Sequence, residues 1–249
     1  MDNRLDFIIA GTQKGGTTAL FRYLRAHPRI QMPRVKEVHF FDRDEHFREG
    51  NPDYGRLHAH FDFAIPGITR GEATPVYMYW QDSPARIWAY NPDIRLVVVL
   101  RNPIERARSQ WQMETERGRE SVSFSEAIRG EQERCRQALP AQHRVFSYVD
   151  RGFYCEQLRR LWRFFPRDHV LVLRHEDLVD DPRGVVARTC AFIGAGDATV
   201  SMGDTVSIRD YRGKISAEDW CYLRDTYEFE IRELERLLEW NCSAWLERD

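Results

Sequence analysis

The apolar run Phe7-Ile-Ile-Ala10 is short, and polar residues precede it and Gly11 follows it, which is the pattern of a buried strand. From Thr17 the apolar positions Leu20, Phe21 and Leu24 recur at helical spacing, so a helix is predicted from Thr17 to about His27, where Pro28 disfavours its continuation. Residues 43–67 are polar and aromatic without a clear period and read as a long loop with short helical pieces. Gly71-Glu-Ala-Thr-Pro75 looks like a strand end, and Asp82-Ser-Pro84 starts a helix running to Tyr90. The β-branched run Arg95-Leu-Val-Val-Val-Leu-Arg101 is the strongest candidate for a central parallel strand.

Helices are then predicted from Ile104 to about Gly118, from Ser123 to Arg136 with a Ser123/Glu126 capping box, and from Gly152 to Phe165. A buried strand at His169–Arg174 precedes a helix from about Pro182 to Ile193. Residues 194–213 are loop-like, and Ser216–Glu239 forms one or two terminal helices. Strands alternating with helices predict an α/β fold: a P-loop-like central parallel β-sheet flanked by helices on both faces, as one domain over residues 1–249. Ligands of such sheets gather at the carboxyl ends of the strands. The Gly11–Thr18 loop, Thr74-Pro75, Arg101 and Arg174 all follow strands in that sense.

Composition narrows the class. A net charge of −2 offers no general attraction to nucleic acid. No apolar run approaches the ~20 residues of a membrane span, so no membrane partner is expected. The five cysteines are widely spaced, with no C-x-x-C, which argues against a zinc site or disulfide framework and suits a reducing, cytoplasmic setting; each is expected as a small core residue. Homo-oligomerisation is left open.

The chemistry starts in the first loop. Gly11, Gly15 and Gly16 let the backbone turn and approach a ligand, and the following helix start offers unpaired N–H groups and the positive end of its dipole. Lys14 adds a full charge, and Thr17 and Thr18 add hydroxyls, so the loop reads as a phosphate cradle. It departs from a Walker A loop, in which Lys directly precedes the metal-binding hydroxyl residue; here Lys14 precedes the two glycines. An ordinary strand-to-helix turn with a solvated lysine is the alternative.

Arg101 ends a strand where P-loop kinases often place a magnesium-binding Asp, which suggests a second anion bound without metal. Ser109, about two turns into the next helix, can serve the same anion; otherwise Arg101 pairs with a carboxylate and Ser109 lies at the surface. The helix from Thr17 carries the chain ~16 Å from the loop, and ten extended residues reach ~30 Å, enough to bring Glu37 back beside Lys14. A carboxylate there has a task if it takes a proton from a hydroxyl. The alternative is a solvated pair of Glu37 with Lys36 or Arg34. Arg209-Asp-Tyr-Arg-Gly-Lys214 either closes over an anionic ligand, with Tyr211 on a base, or is a solvated turn.

At these residues the chain resembles the sulfotransferases that use 3′-phosphoadenosine 5′-phosphosulfate. Gly11-Thr-Gln-Lys-Gly-Gly-Thr-Thr18 is similar to the family's 5′-phosphosulfate loop, and Leu100-Arg-Asn-Pro through Ser109 to its 3′-phosphate motif. Lys36-Glu-Val-His-Phe-Phe-Asp42 most resembles the heparan sulfate branch, and Gly152–Leu158 and Arg174-His-Glu-Asp-Leu178 fit later segments. The resemblance implies Lys14 at the bridging oxygen of the leaving group, with Gln13, Gly15, Gly16, Thr17 and Thr18 around the 5′-phosphate. It gives Arg101 and Ser109 to the 3′-phosphate, and Arg212, Gly213 and Lys214 to a loop over the nucleotide. Glu37 is the implied base, with His39 in support.

The expected reaction is metal-independent in-line transfer of a sulfuryl group to a hydroxyl, releasing adenosine 3′,5′-bisphosphate. Ala73 stands where the heparan sulfate branch has a lysine, so the expected acceptor is a small molecule, sugar or natural product. A P-loop small-molecule kinase using ATP and a non-catalytic nucleotide-binding module are the alternatives.

Overall fold

The computed structural model describes residues 3–48, 50–196 and 215–248. These residues divide into two compact units, one of residues 3–100 and 160–196 and the other of residues 101–159 and 215–248. The first unit holds all five strands: β1 (Phe7–Gly11), β2 (Ile30–Gln31), β3 (Thr69–Ala73), β4 (Arg95–Leu100) and β5 (Val170–Arg174). Every pairing is parallel, in the order β2-β3-β1-β4-β5. β4 is an inner strand, as its β-branched run predicts, while β1 takes the centre.

Alternation explains the layering. Phe7 and Ile9 of β1 with Val97 and Val99 of β4 pack into one core with Leu20, Phe21 and Leu24 of α1 (Thr17–Arg25). Ile8, Ala10, Leu96 and Val98 point the other way and are equally inaccessible to solvent. A parallel sheet buried on both faces must be covered on both, which accounts for its near-continuous apolar strands. Among its described residues the 43–67 segment holds one short helix, α2 (Gly55–His58), and a 3-10 turn at Asp44–His46. α3 (Ser83–Tyr90) starts on the predicted proline signal.

The second unit contains α4 (Pro103–Glu116), α5 (Phe124–Arg129) and α6 (Glu131–Arg136). The single helix expected over Ser123–Arg136 is two, because Gly130 breaks the run; the predicted capping box at its start is formed, with Ser123 and Glu126 exchanging hydrogen bonds. α7 (Tyr154–Phe164) follows. After β5 come α8 (His175–Asp180), which the apolar pattern does not announce, and α9 (Pro182–Phe192). α10 (Ala217–Leu238) is one helix in the second unit. None of the five cysteines forms a disulfide among the described residues; Cys155, Cys190 and Cys242 are core residues as expected, but Cys135 is partly exposed and Cys221 is exposed. No helix among the described residues is long and apolar enough to cross a membrane.

Candidate active site

In the first unit, the end of β1 folds directly into the glycine loop. Its ladder with β4 is irregular between Ile9 and Gly11, and Thr12 N then donates to Val99 O (3.0 Å) while Gly15 N donates to Thr12 O (2.9 Å). Lys14 (φ 71°) and Gly16 (φ 101°) both lie in the left-handed region. Only Gly fits at position 15, since a Cβ there would stand 2.2 Å from Val99 O. Among the described residues no side chain caps the start of α1, so the Thr17 and Thr18 amides and the positive helix end can serve an anion. His175, first residue of α8 at the carboxyl end of β5, donates from Nδ1 to Gly15 O (3.0 Å) and braces the turn.

β3 is hydrogen-bonded to β1, and its end carries the second part of the site. The segment 38–41 has no strand partner; Val38 N (3.1 Å) and His39 N (3.3 Å) donate to Thr74 Oγ1 instead. This places Glu37 at the same sheet edge as the Lys14 loop, one strand over. Glu37 Oε1 accepts from Lys36 Nζ (3.0 Å), and Oε2 meets His39 Nε2 (3.2 Å). His39 Nδ1 in turn reaches Asp42 Oδ2 (3.0 Å), whose side chain is 0% exposed. Like Lys14, His39 has a positive φ (55°), a backbone state that costs roughly 1–2 kcal/mol for an L-residue and concentrates at functional sites.

Electrostatics follows from this array. The hydrogen bond to Asp42, joined by Glu37, raises His39 to about 9, so both ring nitrogens are donors at neutral pH. Burial alone would raise Glu37, but His39 and Lys36 outweigh it and hold the carboxyl at about 2. The pair of Glu37 with Lys36 is therefore present, but it is half-buried and tied to His39 rather than solvated.

In the second unit, Asn102 accepts from Ile104 N (2.9 Å) and caps α4, while Tyr154 donates to Arg101 O (2.8 Å). Arg101 Nε (3.0 Å) and Nη2 (2.6 Å) both donate to Glu105 Oε2. Ser109 is not at the surface: it is 0% exposed, and its Oγ has no hydrogen-bond partner among the described residues. A buried hydroxyl left without a partner is what a ligand oxygen would satisfy.

Thus Gln13, Lys14, Gly15, Gly16, Thr17 and Thr18 share one loop, and Glu37 and His39 stand at the neighbouring strand end. Arg212, Gly213 and Lys214, with Arg209 and Tyr211, lie outside the described residues. Two further contributors carry little signal in the sequence. His175 is marked only by its place right after a strand, and Asp42 by its spacing of three from His39.

A glycine loop between the central parallel strand and an uncapped helix start is the anion-binding arrangement of a P-loop-like fold. The sequence matches the sulfotransferase domain over residues 4–218. Heparan sulfate glucosamine 3-O-sulfotransferase 6 of Homo sapiens is 35% identical over 187 residues, covering 75% of this chain and 51% of that protein. Heparan sulfate glucosamine 3-O-sulfotransferase 3B1 of Mus musculus is 32% identical over 194 residues, covering 75% and 45%. The chain spans about half the length of these curated relatives. A crystal structure of a sulfotransferase from Alicyclobacillus acidocaldarius superposes with a TM-score of 0.82 at 29% identity, over 98% of this chain and 99% of that one. Mouse sulfotransferase SULT7A1 complexed with PAP shares the fold, with a TM-score of 0.57 at 13% identity over 96% and 88%. The chain belongs to the sulfotransferase domain family, a class of enzymes that transfer sulfuryl groups.

Proposed function

We propose that this chain transfers the sulfuryl group of 3′-phosphoadenosine 5′-phosphosulfate to a hydroxyl of a small molecule, sugar or natural product, in line and without metal. The observation that carries this reading is the Lys36–Glu37–His39–Asp42 array at the end of β3, beside the Lys14 loop at the end of β1. The residues fit the donor: the loop backbone is close enough to β4 to exclude a Cβ at Gly15, and the α1 start is uncapped. When bound, the donor supplies an activated sulfuryl group and departs as the bisphosphate.

The chain's own residues supply the rest. Lys14 offers positive charge where negative charge grows on the leaving oxygen, and the loop amides with Thr17 and Thr18 hold the 5′-phosphate. Glu37 takes the proton of the acceptor hydroxyl. Held at about 2, the carboxyl is ionised at neutral pH and open to a proton, and its oxygens keep lone pairs beyond those used by Lys36 and His39. His39, held by Asp42, fixes the direction of the carboxylate. Arg101 and Ser109 are assigned the 3′-phosphate; the buried, unpartnered Ser109 hydroxyl supports this. Arg212, Gly213 and Lys214 are assigned to the nucleotide loop on sequence alone.

The family match over residues 4–218 takes in residues of both compact units, which favours residues 1–249 acting as one sulfotransferase domain. The lack of a disulfide among the described cysteines favours a reducing, cytoplasmic setting. Release of adenosine 3′,5′-bisphosphate with a panel of a phenol, an alkyl alcohol and a glucosamine oligosaccharide tests the reading. Glu37→Gln should lower turnover by on the order of 10²-fold or more, within the range of general-base catalysis. A fully active Glu37→Gln would refute the base.

A further inference from the structure

Glu72 is a carboxyl in an inner strand of a parallel sheet, at register with Ile8 of β1, and it is 0% exposed. Burying a carboxyl there costs several kcal/mol of solvation unless its hydrogen bonds repay it. Thr74 Oγ1 donates to Glu72 Oε2 at 2.8 Å, while Oε1 has no hydrogen-bond partner among the described residues. The carboxyl is not part of the transfer step proposed above, so its retention calls for another reason.

The reason lies one residue pair further on. A threonine hydroxyl has one proton and two lone pairs. Thr74 sends its proton to Glu72 and accepts the amides of Val38 (3.1 Å) and His39 (3.3 Å). Tyr77, on the turn that Thr74 opens, accepts the next two amides, Phe40 N (2.9 Å) and Phe41 N (3.3 Å). Four consecutive amides of a segment with no strand or helix partner are thus docked on two hydroxyls. With the Thr74 proton committed to Glu72, both lone pairs are left for the amides. Without an acceptor below it, that proton would turn toward the amides and compete with them.

We infer that Glu72 and Thr74 form a positioning clamp that fixes the Glu37–His39 turn in its catalytic geometry, Glu72 orienting the Thr74 hydroxyl and Thr74 holding the backbone. This rests on Glu37 acting as the base. The left-handed backbone of His39 is the strained point that such a clamp holds in place. The groups facing Glu72 are Thr74, Tyr77, Asp42 and His39. Burial first, with the charge of Asp42 adding to it, raises the carboxyl to about 7, so it serves the threonine as a carbonyl acceptor below that pH and as a carboxylate above it.

The test reads the His39 imidazole directly, by NMR titration of the full chain, its signal assigned by loss in His39→Gln. In the native chain the ring should titrate near 9, because Asp42 and Glu37 grip both nitrogens. Thr74→Val and Glu72→Leu should drop that value by a unit or more toward an ordinary histidine. Thr74→Ser and Glu72→Gln, which keep the hydroxyl and the acceptor oxygen, should restore it. Turnover should follow the same order, lower by on the order of tenfold or more in the first pair, as expected for a displaced catalytic group. Affinity for adenosine 3′,5′-bisphosphate should stay within twofold. A native His39 titration in Thr74→Val, or equal losses in Glu72→Gln and Glu72→Leu, would overturn the clamp. Thr74→Val keeps the side-chain shape, so it decides the matter even where Glu72→Leu does not fold. If Glu37→Gln stays active while the His39 shift appears, the clamp stands and the base assignment falls.

Discussion

Gly15→Ala is the sharpest perturbation of the donor loop. The added Cβ would sit 2.2 Å from Val99 O and about 3 Å from Thr12 Cγ2 and Thr12 O, against 3.4–4 Å for ordinary contact. Val99 O belongs to an inner strand and cannot retreat, so the loop must move by about 1 Å. That movement strains the Thr12 N–Val99 O and Gly15 N–Thr12 O hydrogen bonds, worth about 0.5–1.5 kcal/mol each. Adding an overpacking cost of about 1–3 kcal/mol gives a loss of roughly 2–6 kcal/mol, the upper end applying if both hydrogen bonds are lost. Gly67→Ala is the control: its φ is +69° but nothing lies within 4 Å, so only a left-handed cost of about 1 kcal/mol applies. Urea unfolding gives the stabilities, and titration with adenosine 3′,5′-bisphosphate gives the affinity. Gly15→Ala should lose more stability than the control and bind at least tenfold more weakly. If the two variants match in both measurements, the loop does not cradle a phosphate against β4.

Other expectations concern charge. Lys14→Ala should cut turnover by on the order of 10²-fold, the scale of one lost transition-state donor, and full activity would remove Lys14 from the mechanism. Arg101→Ala should weaken the bisphosphate by roughly tenfold or more, since a charged hydrogen bond is worth about 1.5–3 kcal/mol; unchanged affinity would mean that pairing with Glu105 is its whole role. His39 is raised in the fold, so its contribution to stability is complete below its ordinary 6.5 and is lost as pH climbs through about 9. The stability deficit of His39→Gln should therefore be largest near pH 6 and shrink toward pH 9.5, and a deficit that grows with pH would contradict the array. Glu37 has the opposite sign: its contribution is held above about 4.5 and lost as pH falls toward 2.

Local signals carry the sheet and the loop. Phe7–Gly11, Arg95–Leu100 and Val170–Arg174 are apolar runs whose lengths and flanks allow one reading, and glycines followed by Thr17-Thr18 mark a strand-to-helix anion site. The Ser123–Glu126 capping box announces α5, but a lone Gly130 inside a helical pattern does not by itself declare a break. What stays hidden is non-local. His175 braces Gly15 across 160 residues of sequence, and Thr74 receives amides from 36 residues upstream. No period or spacing encodes such contacts. The burial of Glu72 and Ser109 is equally illegible, because a lone polar residue in a strand or helix shows its accessibility only after packing. Glu37 with Lys36 reads as a solvated pair for the same reason: adjacency is legible along the chain, while His39 and Asp42 supply its meaning only in the fold.

The central claim is the donor, and calorimetric titration of the purified chain tests it most directly. Adenosine 3′,5′-bisphosphate in a metal-free buffer is compared with ATP plus magnesium. The account predicts clear binding of the bisphosphate that chelator does not change, and little heat from ATP. Preference for ATP with magnesium, and none for the bisphosphate, would contradict it and make the chain a kinase.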